Sequence, residues 1–156
     1  MPEAANLALG ATMKIVTVSS DVTNNNATAN TLEDVTGLSF AVVSGTRYWF
    51  RAVIGYTSAA TTTGARFTVN GPTATSLFYT NWYNNSATAL ITSWQTAYNL
   101  PSGASAGAST TLNNAFIEGT ITPSADGTLQ VRFASEISSS AVVAKAGSFM
   151  LYGEIG

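Results

Sequence analysis

Hydrophobic and polar positions alternate along this chain with a period of two. That is the repeat of a strand whose successive side chains point to opposite faces. The longest alternation runs from Thr46 to Thr57, where Tyr48, Phe50, Ala52, Ile54 and Tyr56 share one face and Trp49, Arg51, Val53 and Gly55 the other. Both faces are largely apolar. This predicts a central strand with one face on the core and the other against a further surface. Ala65 to Asn70 alternates next, with Ala65, Phe67 and Val69 opposite Arg66 and Thr68. The Ser/Ala/Thr stretch from Ser58 to Gly64 reads as a hairpin loop joining the two. Asn70, Gly71 and Pro72 close the second strand, because Gly allows positive φ and Pro cannot continue a central ladder.

A second pair lies further on. Ala115, Ile117, Gly119 and Ile121 alternate with Phe116, Glu118 and Thr120, and Leu129, Val131 and Phe133 alternate with Gln130 and Arg132. Between them Pro123, Ser124, Ala125, Asp126 and Gly127 make a turn, so this pair also reads as a hairpin. Shorter strands are expected at Met13 to Val18, at Leu32 to Val35 and Leu38 to Val43 around a Thr36-Gly37 turn, and at Val142 to Lys145 and Phe149 to Ile155 around Ala146-Gly147. Leu90, Ile91, Trp94 and Tyr98 are spaced as on a short helix, but the Thr content of Thr88 to Tyr98 suits a strand or loop equally. Leu100 to Thr111 is a Ser/Ala/Gly-rich loop. The expected fold is all-β, an antiparallel β-sandwich or jelly roll of about eight strands with turn signals roughly every ten residues. The expected organisation is an N-terminal arm over residues 1–12 and a single sandwich over 13–156.

Composition narrows the chemistry. The chain has 156 residues, no His, no Cys, and a charged fraction of 9%, against about 25% in an ordinary globular protein. Its apolar fraction of 46% argues for a packed core rather than disorder. Six basic residues stand against eight acidic ones, for a net charge of −2. The basic residues form no cluster, so neither a nucleic-acid partner nor an anionic membrane is expected. Without Cys the fold has no disulfide and is indifferent to redox compartment. A weakly charged surface is a solubility liability for a free monomer. One remedy is to bury it against copies of the chain or a partner.

Candidate chemistry is sparse. With no His or Cys, a Ser nucleophile would need a carboxylate or a Lys as its base, and no G-x-S-x-G elbow occurs. Glycoside hydrolysis asks only for two carboxylates across a cleft. Glu118, Glu136, Asp126, Glu33 and Asp34 are the acidic residues to weigh, and each also reads as a turn or outward-facing charge. Asp21 with Asn24, Asn25 and Asn26 is the nearest oxygen-rich cluster for a cation, though Asn runs occur in turns without a metal. The expectation is no enzyme activity, no cofactor and no metal.

The aromatic run is more informative. Phe78, Tyr79, Trp82, Tyr83, Trp94 and Tyr98 fall in one loop-rich stretch broken by Asn81, Asn84 and Asn85. Three readings stay open for it: rings capping the open end of the sandwich, a protein interface, or a glycan platform. Tyr79, Trp82, Tyr83, Trp94 and Tyr98, with Leu7 and Leu9 of the arm, are the candidate contact residues.

Two stretches, "DVTGLSFAVVSGTRYWFRAVIGYTSAATTTGARFTVNGP" from Asp34 to Pro72 and "FIEGTITPSADGTLQVRFASEI" followed by "AVVAKAGSFMLYGEI" from Phe116 to Ile155, carry a resemblance. The L-S-F strand, the Gly-Thr-x-Tyr strand start, the TTG-x-x-F hairpin and the K-A-G-S turn resemble β-sandwich modules of tailed-bacteriophage virions. The resemblance covers about half the chain and contains no chemical motif. It implies a jelly-roll fold and an assembly role, as a homotrimeric capsid cement (decoration) protein on the outer capsid surface that binds the major capsid protein. A fibre tip touching a host surface or glycan is the alternative. With Met1 as the natural start, the sandwich leaves no room for a shaft, which favours the capsid role.

Overall fold

The computed structural model describes residues 12–86, 88–103 and 110–156. Among these residues it is all-β and antiparallel, with eleven strands in two sheets. They are β1 (Lys14–Thr17), β2 (Val22–Asn24), β3 (Glu33–Val42), β4 (Tyr48–Ser58), β5 (Ala65–Asn70), β6 (Ala74–Asn84), β7 (Leu90–Gln95), β8 (Asn113–Pro123), β9 (Gly127–Ser135), β10 (Val142–Ala144) and β11 (Phe149–Glu154). The larger sheet runs β1-β11-β4-β8-β6-β7, with β10 continuing the line of β11 along β4 and β2 pairing β10. The smaller runs β3-β9-β5. The chain passes repeatedly from one sheet to the other, which makes the sandwich jelly-roll-like.

β4 sets the core. Its alternation is as expected: Tyr48, Phe50, Ala52, Ile54 and Tyr56 are buried. Opposite them, the small sheet contributes Phe40, Val42, Phe67, Val69, Leu129, Val131 and Phe133. Phe67 lies at the centre of the aromatic packing, 4.9 Å from Tyr56, 5.4 Å from Tyr83 and 6.3 Å from Phe133 between ring centroids.

Both expected hairpins are corrected. β4 and β5 lie in different sheets, and so do β8 and β9. The reason is edge occupancy. β4 is paired by β8 on one side and by β10 and β11 on the other, and β8 is taken by β4 and β6. No backbone edge is left for the next strand in sequence, so each crosses over, and β5 and β9 pair with each other.

The two pieces expected around Thr36-Gly37 are one bulged strand. β3 advances from Asp34 to Ser39 while β9 moves only from Arg132 to Gln130. Gly37 takes the positive φ of 98° that this bulge needs. Ala146-Gly147 likewise interrupts one long strand instead of reversing it, since β10 and β11 both run antiparallel to β4. β6 spans eleven residues where the sequence suggested loop, and Leu90–Gln95 is a strand rather than a helix. β6–β7 is the hairpin between consecutive strands of the larger sheet.

Candidate functional site

β6 and β7 divide the expected aromatic cluster between two environments. On β6, Leu77, Tyr79, Asn81 and Tyr83 point into the sandwich and are buried. Tyr79 and Tyr83 therefore cannot be partner contacts as the sequence suggested; their rings complete the core. Their hydroxyls fasten the segment that follows β7. The Tyr79 hydroxyl lies 2.8 Å from the Thr68 hydroxyl and accompanies the carbonyls of Ala97 at 3.1 Å and Leu100 at 3.3 Å. The Tyr83 hydroxyl donates to the Gly103 carbonyl at 2.6 Å. Between them Asn81 donates to the Phe67 carbonyl at 3.0 Å, and its side-chain oxygen accepts from Ser93 at 2.8 Å. Ser102 Oγ stands 2.9 Å from both Asn81 Oδ1 and the Tyr83 hydroxyl. Burial pushes the pKa of both phenols up. Tyr98 is half-buried, and burial raises its pKa to about 12. This is the capping arrangement among the three readings. Leu7 and Leu9 lie outside the described residues.

Trp82 and Trp94 point the other way, onto the outer face of the large sheet. The registers assemble that face in rows. One row reads Ile15, Leu151, Arg51, Glu118, Thr80, Trp94 from β1 to β7. The next reads Thr17, Phe149, Val53, Phe116, Trp82, Thr92. On the other side of the first lie Gly153, Trp49, Thr120 and Phe78. Trp94 is 76% exposed, Ile15 58% and Phe78 56%. Trp82 stacks on Phe116 with centroids 5.5 Å apart. Trp49, Phe116, Phe149 and Leu151 were missing from the expected contact residues. Their signal was the second apolar face of Tyr48–Ser58, which only the cross-strand register could extend over the sheet.

Arg51 and Glu118 are the only charges in these rows. They are cross-strand partners, with Nε and Oε2 3.9 Å apart. Glu118 Oε1 also accepts the Trp49 indole N–H at 3.1 Å. Around them Trp49, Phe78, Thr80, Trp82 and Thr120 line a shallow depression of about 370 Å³.

The remaining acidic groups serve local structure. Glu136, just past β9 of the small sheet, accepts the Gly64 N–H at 3.0 Å and is not placed across a cleft from Glu118. Asp126 accepts the Ser44 N–H at 2.8 Å. Glu33 accepts from Asn26 at 3.0 Å, and Asp34 pairs with Arg132 at 2.9 Å. Asp21 pairs with Lys145 and accepts the Ala146 N–H at 2.9 Å. The Lys145 hydrogen bond, before the backbone one, holds its carboxyl below the usual range. Asn24 is buried and donates to the carbonyls of Thr31 and Phe133 at 2.9 and 3.0 Å. Among the described residues no three His, Cys, Asp or Glu side chains group as metal ligands.

No protein-family description matches the chain, and no curated protein matches it in sequence. Three solved structures are distantly similar to it. The Eiger TNF structure from S. frugiperda is 13% identical with a TM-score of 0.46, covering 94% of this chain and 93% of that one. The infectious bursal disease virus VP2 subviral particle is 8% identical with a TM-score of 0.29, covering 93% of this chain and 40% of that one. The Gt strain of the same virus gives 8% identity and a TM-score of 0.31, covering 94% of this chain and 42% of that one.

Proposed function

We propose that this chain is a structural subunit of a virion, a decoration protein that sits on the outer capsid surface, binds the major capsid protein and turns over no substrate. The observation that carries this reading is the outer face of the large sheet. It presents Ile15, Phe78, Leu90 and Trp94 well exposed, beside Trp49, Phe116, Trp82, Phe149 and Leu151, around the Arg51–Glu118 ion pair. Monomeric proteins rarely expose contiguous apolar patches beyond a few hundred Å², and larger ones mark interaction sites. Sparse charge suits docking, because few ionic groups must lose water. The strand and turn pattern shared with tailed-phage virion sandwiches supports the virion setting and implies three associated copies. Such a subunit acts by mass action. It binds the assembled lattice in preference to free coat subunits and so stabilises the assembled state, and lattice symmetry multiplies weak contacts into avidity.

The depression lined by Trp49, Phe78, Trp82 and Glu118 favours a second reading, a fibre tip. Aromatic walls beside a hydrogen-bond acceptor are what a sugar ring would meet. Labelled localisation on particles, with heating of particles lacking the chain, tests the two. Decoration predicts label over the whole head and heads that assemble but lose genome at lower temperature. Heads of unchanged robustness with adsorption abolished would replace decoration by the fibre-tip reading.

A further inference from the structure

The outer face of the large sheet has an internal symmetry that the strand registers expose. Six strand positions cross it, three on each side of a line running between β4 and β8. Arg51 and Glu118 face each other across that line. We infer that two copies of the chain pair face to face through this surface, about a two-fold axis parallel to the strands along the β4–β8 line, each Arg51 standing over the partner's Glu118. This rests on the reading that the chain works packed against other subunits; it gives the outer face of the large sheet to a second copy and leaves the major capsid protein to meet another surface of the pair.

Charge selects the axis. A face-to-face pair of identical surfaces is isologous, so its two-fold lies in the interface plane. An axis across the strands would set Arg51 on the partner's Arg51 and Glu118 on the partner's Glu118, and like charges facing each other in an interface are strongly unfavourable. The axis along the strands exchanges β4 with β8, so each charge meets its opposite.

Size complementarity follows from the same operation, which also exchanges β11 with β6 and β1 with β7. Two large side chains then fall on small ones, Trp49 over Thr120 and Leu151 over Thr80, and Phe78 comes over Met13, whose sulfur covers Gly153. Trp94 meets Ile15, Phe149 meets Trp82, and Val53 meets Phe116. Facing sheets pack about 10 Å apart at about −30°, so the match is closest near the axis, where the ion pairs, Trp49 and Thr120 lie.

Area is sufficient. Six strands spaced about 4.8 Å apart span about 29 Å, and the nine positions paired between β4 and β8 run about 30 Å at roughly 3.3 Å each. That footprint is comparable with the roughly 800 Å² each partner gives a standard interface. The pairing is separate from the three-fold contact implied by the phage resemblance. A particle carrying both would be two trimers joined through their outer faces.

Sedimentation equilibrium of the full chain, with Arg51→Glu and Glu118→Arg, tests the pairing. The wild type is expected at an even multiple of the chain mass. Each reversal alone should halve that mass, its pairing dissociation constant rising about 100-fold or more. An equimolar mixture of the two variants should restore it, because each copy then meets opposite charges across the interface while keeping like charges within itself. Thr120→Lys, which fills the hollow opposite the partner's Trp49, should also dissociate the pair and carries the test if a reversal does not fold. A wild-type monomer or trimer, or variants that keep the wild-type mass, would overturn the pairing. A trimer would leave the decoration reading standing, and that reading fails separately if the chain is absent from heads.

Discussion

Thr68 on β5 and Tyr79 on β6 join hydroxyls at 2.8 Å in the interior, linking the small sheet to the large one. Asn81, two residues further along β6, repeats the link by donating to the Phe67 carbonyl at 3.0 Å. On the neighbouring strand, at the residue paired with Phe67, Asn24 of β2 reaches the Phe133 carbonyl of β9 at 3.0 Å. Apolar burial is non-directional and lets two sheets slide over each other. Buried polar groups must find partners with good geometry, and so these contacts fix where the sheets sit.

Tyr79→Phe keeps the ring but strands the groups its hydroxyl served. Leaving a buried polar group unpaired costs about 1–3 kcal/mol. Urea unfolding should show a lower midpoint at unchanged m. A loss of that size lowers Tm by roughly 2–4 °C per kcal/mol at this length. An unchanged midpoint would mean water replaces the hydroxyl.

Gly119→Ala probes the closest approach in the large sheet. A Cβ there would run into the Phe78 carbonyl oxygen and lie 2.5 Å from Tyr79 Cβ. Neither atom can move without shifting β6, so overpacking should cost about 3 kcal/mol or more. Thermal melting of the purified variant reads this directly, and a melt within a degree of wild type would refute it.

The buried phenols make stability fall in alkali. Unfolded tyrosine ionises near 10, whereas burial holds folded Tyr98 at about 12 and raises Tyr79 and Tyr83 as well. The unfolded chain therefore loses these protons first. Stability from these groups is full below about pH 10 and is lost as pH rises through the folded values. Tyr98 has no hydrogen-bond partner for its hydroxyl among the described residues. Tyr98→Phe should accordingly cost nothing at neutral pH and flatten the alkaline decline, measured as urea midpoint against pH.

Trp94→Ala separates folding from association. The indole is 76% exposed, so the change should move stability by no more than about 0.5 kcal/mol. On the proposed face it removes an aromatic contact of the type that anchors interfaces. Self-association by light scattering should weaken several-fold, while the melt, read at a concentration where both proteins are unassociated, stays put. Unchanged association would take Trp94 out of the interface.

The all-β class, the faces of β4, β8 and β9, and the loops after β4 and β8 were legible in the order of side chains, because a period of two reports which residues share a face; Thr36-Gly37 and Ala146-Gly147 read as turns but only interrupt strands. β6 was not. Its inward line includes Asn81, and its outward line carries Phe78 and Trp82, so neither face reads as purely apolar or polar. A polar residue can sit inward there only because Phe67, Ser93 and Ser102 arrive from elsewhere in the chain to satisfy it. The same limit split the candidate contacts: composition marked the aromatic run, but only the strand's facing sent Tyr79 and Tyr83 inward and Trp82 outward. Sequence by itself determined what β4, β8 and β9 bury and where the chain leaves β4 and β8. Tertiary structure alone decided which sheet each strand joins, since that depends on which backbone edges remain unpaired, and it alone gathered Trp49, Arg51, Phe116, Glu118 and Phe149 on one surface, since cross-strand neighbours are set by register and not by distance along the chain.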